Sequence, residues 1–197
     1  MEDMKELKSV LERVEGKLIA AGSIYAAMNF VYWLLAMSLF YVVSGAVELP
    51  GTLAALYWGA AILAGFWVTG TVFKRLADLY AASGKGTGGF PLWKIAVPWG
   101  VGSVVGWWAV PAALDASPDV RFAVGLLSFI AVSLLGQWAL VTRDMESMPS
   151  FLVPLMAVPL AFTMKAGASS WAGFAVATGF SLTVLLYLHS AFRAIER

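Results

Sequence analysis

Apolar and charged residues occupy separate blocks along this chain. Six apolar stretches contain no Asp, Glu, Lys or Arg, and the charged side chains lie before, between or after them. A helix needs about 20 residues to cross roughly 30 Å of bilayer hydrocarbon, and most of the stretches reach that length. The pattern predicts an all-α, polytopic membrane protein with six transmembrane helices arranged as three consecutive hairpins. The stretches cover roughly residues 18–43, 52–73, 95–114, 122–142, 148–164 and 169–192.

Prolines and turn residues mark the irregular places in this pattern. The fifth stretch is the shortest and carries three of the eight prolines. Pro98 and Pro154 each leave a backbone carbonyl without its helical donor, so both are expected to bend their helices. The polar turn at 115–119 is expected to place Asp119 as a cap for the fourth helix.

The distribution of basic residues predicts the orientation. The chain is 60% hydrophobic, with a mean hydropathy of +0.80 and a net charge of +1. Eleven of the 13 Lys and Arg residues fall on the same side as the N-terminus in the six-helix topology. Because cytoplasmic loops are enriched in Lys and Arg, both termini are expected in the cytoplasm. A net charge near zero favours the lipid bilayer, and not nucleic acid, as the partner.

Residues 1–17 predict a short cytoplasmic amphipathic helix ahead of a transmembrane domain at 18–197. Its apolar residues are spaced alternately three and four apart, which aligns them on one face. Two interpretations of this face stay open: the helix lies on the inner membrane surface, or it docks a partner subunit. The apolar positions are Met4, Leu7, Leu11, Val14 and Leu18.

The longest connection, a cytoplasmic loop at about 79–91, is rich in glycine. Its Gly84-Lys85 pair resembles part of a phosphate-binding loop, but Leu79 stands where the first glycine is needed and Gly86 where Ser or Thr is needed. The loop is therefore interpreted as a flexible linker, and as a second possible contact for a protein partner.

The residue types that catalysis and metal binding require are scarce in the apolar stretches. The chain has no cysteine and one histidine, His189, and its carboxylates lie only at the predicted membrane edges. We therefore predict no catalytic residue, no metal site and no cofactor. The absence of cysteine, with a single Asn and a single Gln, is typical of thermophilic proteins and favours a prokaryotic cell membrane as the location.

Uncharged polar residues concentrate in the half of the helices nearer the cytoplasm. One interpretation is hydrogen bonding between helices, because a polar group in hydrocarbon seeks a partner inside the bundle. The other is a cavity open to the cytoplasm, with tryptophan walls suited to an apolar or cationic small molecule. The candidate lining residues are Asn29, Trp67, Thr69, Trp99, Gln137, Trp138, Tyr187 and His189.

An arginine followed three residues later by a carboxylate ends the second, fourth and sixth stretches. These pairs are either solvated helix ends or a face that binds a partner or lipid phosphate. The repetition indicates a three-fold duplication or a coincidence among helices that leave the membrane on the same side. Aligned on the pairs, Gly65, Ser133 and Thr183 share one column, and Thr69, Gln137 and Tyr187 another. The pairs are Arg75–Asp78, Arg143–Glu146 and Arg193–Glu196.

Small residues four apart, Ala61 and Gly65 in the second stretch and Gly102 and Gly106 in the third, predict close helix packing. Three functions are compatible with all these features. The first is a permease-like subunit for a small apolar or amphipathic solute, energised by a partner. The second is a non-transporting scaffold or accessory subunit of a membrane complex. A lipid-modifying enzyme acting at the charged pairs is a third.

Overall fold

The computed structural model describes residues 2–82 and 93–196, and this part of the chain is helical with no strand. Five of its helices are long and apolar enough to cross a membrane, as expected of a membrane-embedded protein; the 15-residue α5 is shorter. Most of the glycine-rich loop lies outside the described residues. The helices are α1 (Glu2–Ala46), α2 (Gly51–Ala82), α3 (Trp93–Ala113), α4 (Pro118–Thr142), α5 (Pro149–Thr163) and α6 (Ala168–Ile195).

The predicted amphipathic segment is the first part of α1. The helix runs for 45 residues from this segment into the first apolar stretch without a break. The apolar side chains of Met4, Leu7, Leu11 and Val14 are all exposed. Their face is therefore available to a membrane surface or to another protein.

The three C-terminal helices form the core of the bundle. Helices α4, α5 and α6 all pack against one another, and α1 packs along the whole of α6. The backbone near Gly16 meets Ala194, while Gly173 lies under the ring of Tyr41, so α1 and α6 are antiparallel. Both chain ends consequently lie at one end of the bundle, called the terminal end below; Tyr41 and Gly173 mark the far end.

Helices α2 and α3 lie at the two edges of the bundle. Within the described residues, α3 packs on α4 alone and α2 packs on α1 alone. A Cβ on Gly106 of α3 would lie 2.5 Å from the Gly125 carbonyl oxygen of α4, so these backbones are nearly in contact. Gly65 faces the ring of Trp33 across the α1–α2 contact. The close approach predicted from the small residues is confirmed at both places.

Helix α3 changes its hydrogen bonding beyond Pro98. It stays α-helical across that proline and becomes π-helical at Val105–Ala109, where the Val110 N–H donates to the Val105 carbonyl. Pro111 has no N–H to donate to the Trp107 carbonyl, so the regular ladder cannot continue through this turn. A second π-helical turn, Trp138–Thr142, ends α4.

The cap predicted for the fourth helix is wrong. Ser117 is the N-cap of α4, and its hydroxyl accepts from the Val120 N–H at 3.4 Å. Asp119 lies within the first turn, and its carboxylate caps α6 instead, accepting from the N–H groups of Ala168 at 2.8 Å and Ser169 at 3.1 Å. The first N–H groups of α6 have no partner in their own helix, and a carboxylate from α4 satisfies them.

Candidate functional site

The turn between α4 and α5 places a half-buried carboxylate, Asp144, at the terminal end of the bundle. Tyr187 of α6 donates its hydroxyl to one carboxylate oxygen, and Ser147 donates to the other. Trp138 Nε1 donates to the backbone carbonyl of Asp144 at 2.8 Å. One residue therefore links α4, the turn and α6.

The backbone before Asp144 explains how the carboxylate comes to face the bundle. Arg143 has a φ of 50° and a ψ of 25°, the left-handed conformation that often ends a helix. Its N–H donates to the Trp138 carbonyl at 3.0 Å, which closes the π-helical turn. Its side-chain Nε donates to the Ala139 carbonyl at 3.0 Å, so the guanidinium runs back along its own helix. Asp144 is left to hydroxyl donors and has no cationic partner among the described residues.

Packing around the carboxylate is close. Ser150 is buried and donates its hydroxyl to the Ser147 carbonyl at 2.6 Å. The ring of Trp138 lies 5.8 Å from that of Phe151, measured between centroids, and Tyr187 stacks on Phe30 of α1 at 6.2 Å. Buried hydrogen bonds to a charged group are stronger than those between neutral groups. This cluster joins four helices, α1, α4, α5 and α6.

The eight candidate lining residues fall into separate groups. Thr69 Oγ1 donates to Asn29 Oδ1 at 2.7 Å, which joins α2 to α1. Trp99 Nε1 donates to Gln137 Oε1 at 2.8 Å, which joins α3 to α4. Trp138 and Tyr187 meet at Asp144, as described above. These contacts agree with hydrogen bonding between helices, and ligand binding by these residues stays a prediction.

Two of the eight point away from the bundle. The Trp67 side chain is 74% exposed, and His189 is exposed near the end of α6. An aromatic side chain this exposed on a transmembrane segment faces lipid, headgroups or another protein.

The charged residues at the ends of α2, α4 and α6 lie at the terminal end but form no ion pairs with one another. None of the three arginine–carboxylate pairs closes within 4.0 Å among the described residues. Five of the six are exposed and Glu146 is half-buried. They behave as solvated helix ends in this structure, and partner or phosphate binding stays a prediction for them: Arg75, Asp78, Arg143, Glu146, Arg193 and Glu196.

The sequence did not predict either of the two carboxylates that join distant helices, Asp144 and Asp119. Asp144 was one of several edge carboxylates, and nothing local in the sequence links it to Tyr187, 43 residues away. Asp119 was assigned to its own helix, although Ser169 Oγ donates to it at 2.5 Å from a position 50 residues later. One signal was available in the sequence. Each of the two carboxylates lies on the same predicted side of the membrane as a helix end that carries several hydroxyl side chains.

No protein-family model, no curated protein and no solved structure matches this chain. Within the described residues, no three His, Asp or Glu side chains come together as a metal-binding group. The apolar helices are those of a membrane-embedded protein, and its role is argued below from its own residues.

Proposed function

We propose that the chain is an integral subunit of a larger membrane assembly, which crosses a prokaryotic cell membrane six times as three hairpins with both termini in the cytoplasm. Five helices have the length and apolarity to span a bilayer. The shorter α5 packs against both α4 and α6, which supports counting it as the sixth span. The excess of basic residues at the terminal end supports the orientation.

The proposed assembly role rests on how little of α2 is covered by the rest of the described chain. Only 6% of its most apolar window is buried, against 44% in α4 and in α6, and α1 is its single helical contact among the described residues. Gly59 and Gly70 lie on the face of α2 away from α1, and a Cβ on either would meet nothing within 4 Å. Small residues on an open helix face allow another transmembrane helix to approach closely.

The exposed end of α1 supplies a second surface for assembly. Leu7 is 61% exposed and Leu11 is 61% exposed, on the helical face that also carries Met4 and Val14. The Lys8–Glu12 ion pair, at 3.7 Å, lies beside this face. An apolar stripe flanked by charges fits the groove of a helix-binding partner. We assign it to a cytoplasmic protein, and the open face of α2 to a membrane-embedded one.

Affinity purification from native membranes tests this role. Full-length tagged protein is expected to retain at least one partner protein, identified by mass spectrometry. The variant Leu7→Ser/Leu11→Ser is expected to lose the cytoplasmic partner. The matched control Glu12→Ser/Arg13→Ser changes the polar side of the same helix without changing net charge, and should retain it. A protein that leaves native membranes alone and monodisperse contradicts the proposal.

A permease-like role for a small apolar or amphipathic solute is the second candidate. The π-helical turns at Val105–Ala109 and Trp138–Thr142 favour it, because such turns are frequent at functional sites and irregular backbone at membrane depth is tolerated beside protein or a cavity. In this case the solute passes between the chain and its partner. Solute flux into vesicles that hold both proteins tests it, and flux equal to that of empty vesicles contradicts it.

A further inference from the structure

A pocket of about 380 Å³ opens at the far end of the bundle, away from the junction at Asp144. Residues from the end of α1, the start of α4 and the first turn of α6 line it. Pockets for small molecules commonly measure about 300 to 1,000 Å³. The volume is therefore sufficient for a small organic group.

The carboxylate of Asp119 provides the negative charge in this pocket. Three donors at the start of α6 hold it: the Ala168 N–H, the Ser169 N–H and the Ser169 hydroxyl, at 2.8, 3.1 and 2.5 Å. They fix the orientation of the carboxylate, while the helix dipole offsets only part of its charge. No Lys, Arg or His of the described chain lies within 4.0 Å of Asp119.

Aromatic rings line the pocket around this carboxylate. Phe40 and Tyr41 come from α1, with ring centroids 6.0 Å apart in an edge-to-face arrangement, and Phe122 comes from α4. The Tyr41 ring rests against Gly173, where a Cβ would lie 2.6 Å from it, so the ring has little freedom to move. The faces of such rings attract cations, and more strongly where water is partly excluded.

The combination selects one class of ligand. A single carboxylate repels anions, and Ca²⁺ requires six to eight oxygen ligands, of which Asp119 supplies two at most. Aromatic faces beside one negative charge suit an organic cation, which spreads its charge over methyl or methylene groups. The apolar stretch of α1 ends at about Val43, so the pocket lies level with the lipid headgroups.

We propose that this far-end pocket binds an organic ammonium group, carried either by a free amine or quaternary ammonium solute or by the headgroup of a lipid. Asp119 supplies the counter-charge, and Phe40, Tyr41 and Phe122 supply the cation–π faces. The site does not rest on the assembly role proposed above. None of its lining residues lies on α2 or on the exposed end of α1, although Phe40 also packs against Tyr57 and Trp58 of α2.

Binding of choline and of its uncharged analogue 3,3-dimethylbutanol decides the question. The two molecules match in shape and differ in charge. Saturation-transfer NMR of the full chain in maltoside micelles, which contain no ammonium group, is expected to show choline binding at least about tenfold tighter than the analogue. Equal binding of the two, or no binding of choline, overturns the proposal on the native protein alone.

Choline binding by variants then tests whether the ligand occupies the pocket at Asp119. Asp119→Asn keeps an acceptor for the α6 N–H groups but removes the charge, and is expected to weaken choline binding about tenfold. Tyr41→Leu is expected to act in the same direction, while Asp115→Asn, a carboxylate outside the pocket, should bind as the native chain does. Unchanged choline binding by folded Asp119→Asn overturns the site. If that variant does not fold, Tyr41→Leu against Asp115→Asn gives the same decision.

A further experiment with lipids identifies the source of the ammonium group. Nanodiscs of phosphatidylglycerol alone are compared with nanodiscs that also contain phosphatidylcholine. Displacement of soluble choline by the second lipid assigns the pocket to a headgroup, and undiminished choline binding assigns it to a free solute. Either result supports an ammonium site.

Discussion

Tyr32 and Tyr57 hold α1 and α2 together through reciprocal hydrogen bonds. The Tyr32 hydroxyl on α1 donates to the Ala61 carbonyl of α2, and the Tyr57 hydroxyl on α2 donates to the Ala36 carbonyl of α1, both at 2.5 Å. A carbonyl oxygen has two lone pairs, so it accepts such a bond without giving up its helical one. The pair matters because α2 contacts no other helix in the described part of the chain.

Replacing both tyrosines by phenylalanine should loosen α2 selectively. Hydrogen bonds between transmembrane helices contribute about 0.6 kcal/mol on average and about 1.7 kcal/mol at most, so Tyr32→Phe/Tyr57→Phe is expected to destabilise the α1–α2 contact by about 1 to 3 kcal/mol. Hydrogen exchange followed by mass spectrometry should show that the double variant exchanges faster than the native chain in α2. The exchange rate in α4 should be unchanged. Tyr25→Phe, on α1 outside this pair, is the control. Equal exchange in the double variant and the control would show that the two bonds do not hold α2.

Two glycines of α3, Gly102 and Gly100, allow a matched test of the packing between α3 and α4. A Cβ on Gly102 would collide with Ser133 Oγ and lie 2.9 Å from the Phe129 carbonyl oxygen, whereas a Cβ on Gly100 would meet nothing within 4 Å. Gly102→Ala is expected to destabilise the protein by about 1 to 3 kcal/mol through overpacking. Gly100→Ala should leave it unchanged or slightly more stable, because alanine is the better helix former. Thermal unfolding in detergent measures both, and equal midpoints would contradict the α3–α4 contact.

The Tyr187–Asp144 bond should appear as an energetic coupling. Tyr187→Phe removes the donor and Asp144→Asn weakens the acceptor, and each is expected to destabilise the chain by about 1 to 3 kcal/mol. Since both changes break the same bond, the double variant should lose less than the sum, by about 0.5 to 3 kcal/mol. Unfolding midpoints of the native chain and the three variants measure the coupling. Strict additivity would show that the two side chains act independently.

Topology is directly testable because the chain contains no cysteine. Glu48→Cys and Asp115→Cys are expected to react with a membrane-impermeant maleimide added to intact cells. Glu12→Cys and Glu196→Cys should react only after permeabilisation, since both lie at the terminal end and the positive-inside rule places that end in the cytoplasm. The native chain gives the background. Reaction of Glu12→Cys and Glu196→Cys on opposite faces would refute the six-span count.

The helical class and the close packing of small residues could be predicted from sequence, because each depends on local periodicity. The spacing of Gly102 and Gly106 was enough to identify a packing seam, and Gly106 indeed meets Gly125 of α4. Hydropathy alone identified the apolar helices. The neighbours of each helix could not be predicted, because nothing in the pattern indicates that α2 touches only α1 in the described part of the chain.

The candidate site was predicted less well, because its contacts join residues far apart in the chain. Asn29, Thr69 and Gln137 have the partners inside the bundle that one interpretation expected, whereas His189 is exposed. The proposed single cavity needed all of them to converge, and Trp67 instead lies on the surface. The π-helical turn at Val105–Ala109 was not predicted, and the bend expected at Pro98 stays a prediction.

The proposed duplication gains one further observation. Thr69, Gln137 and Tyr187, aligned by sequence in one column, each bond to a side chain that precedes it by 40, 38 and 43 residues. In the neighbouring column, the hydroxyls of Ser133 and Thr183 are both fully buried with no hydrogen-bond partner in the described chain. The three bonds differ in chemistry, because Thr69 and Tyr187 donate while Gln137 accepts, so the duplication stays a prediction.

The pairing of α1 with α6 has a consequence for how the protein is made. Helix α1 is synthesised before α6, the helix that covers its long side. Contacts between distant parts of a chain form slowly, and surfaces left open in the meantime are prone to wrong associations. During translation α1 must therefore be sheltered by α2, lipid or a chaperone. A chain that ends before α6 lacks this cover, and its α1 keeps an open face.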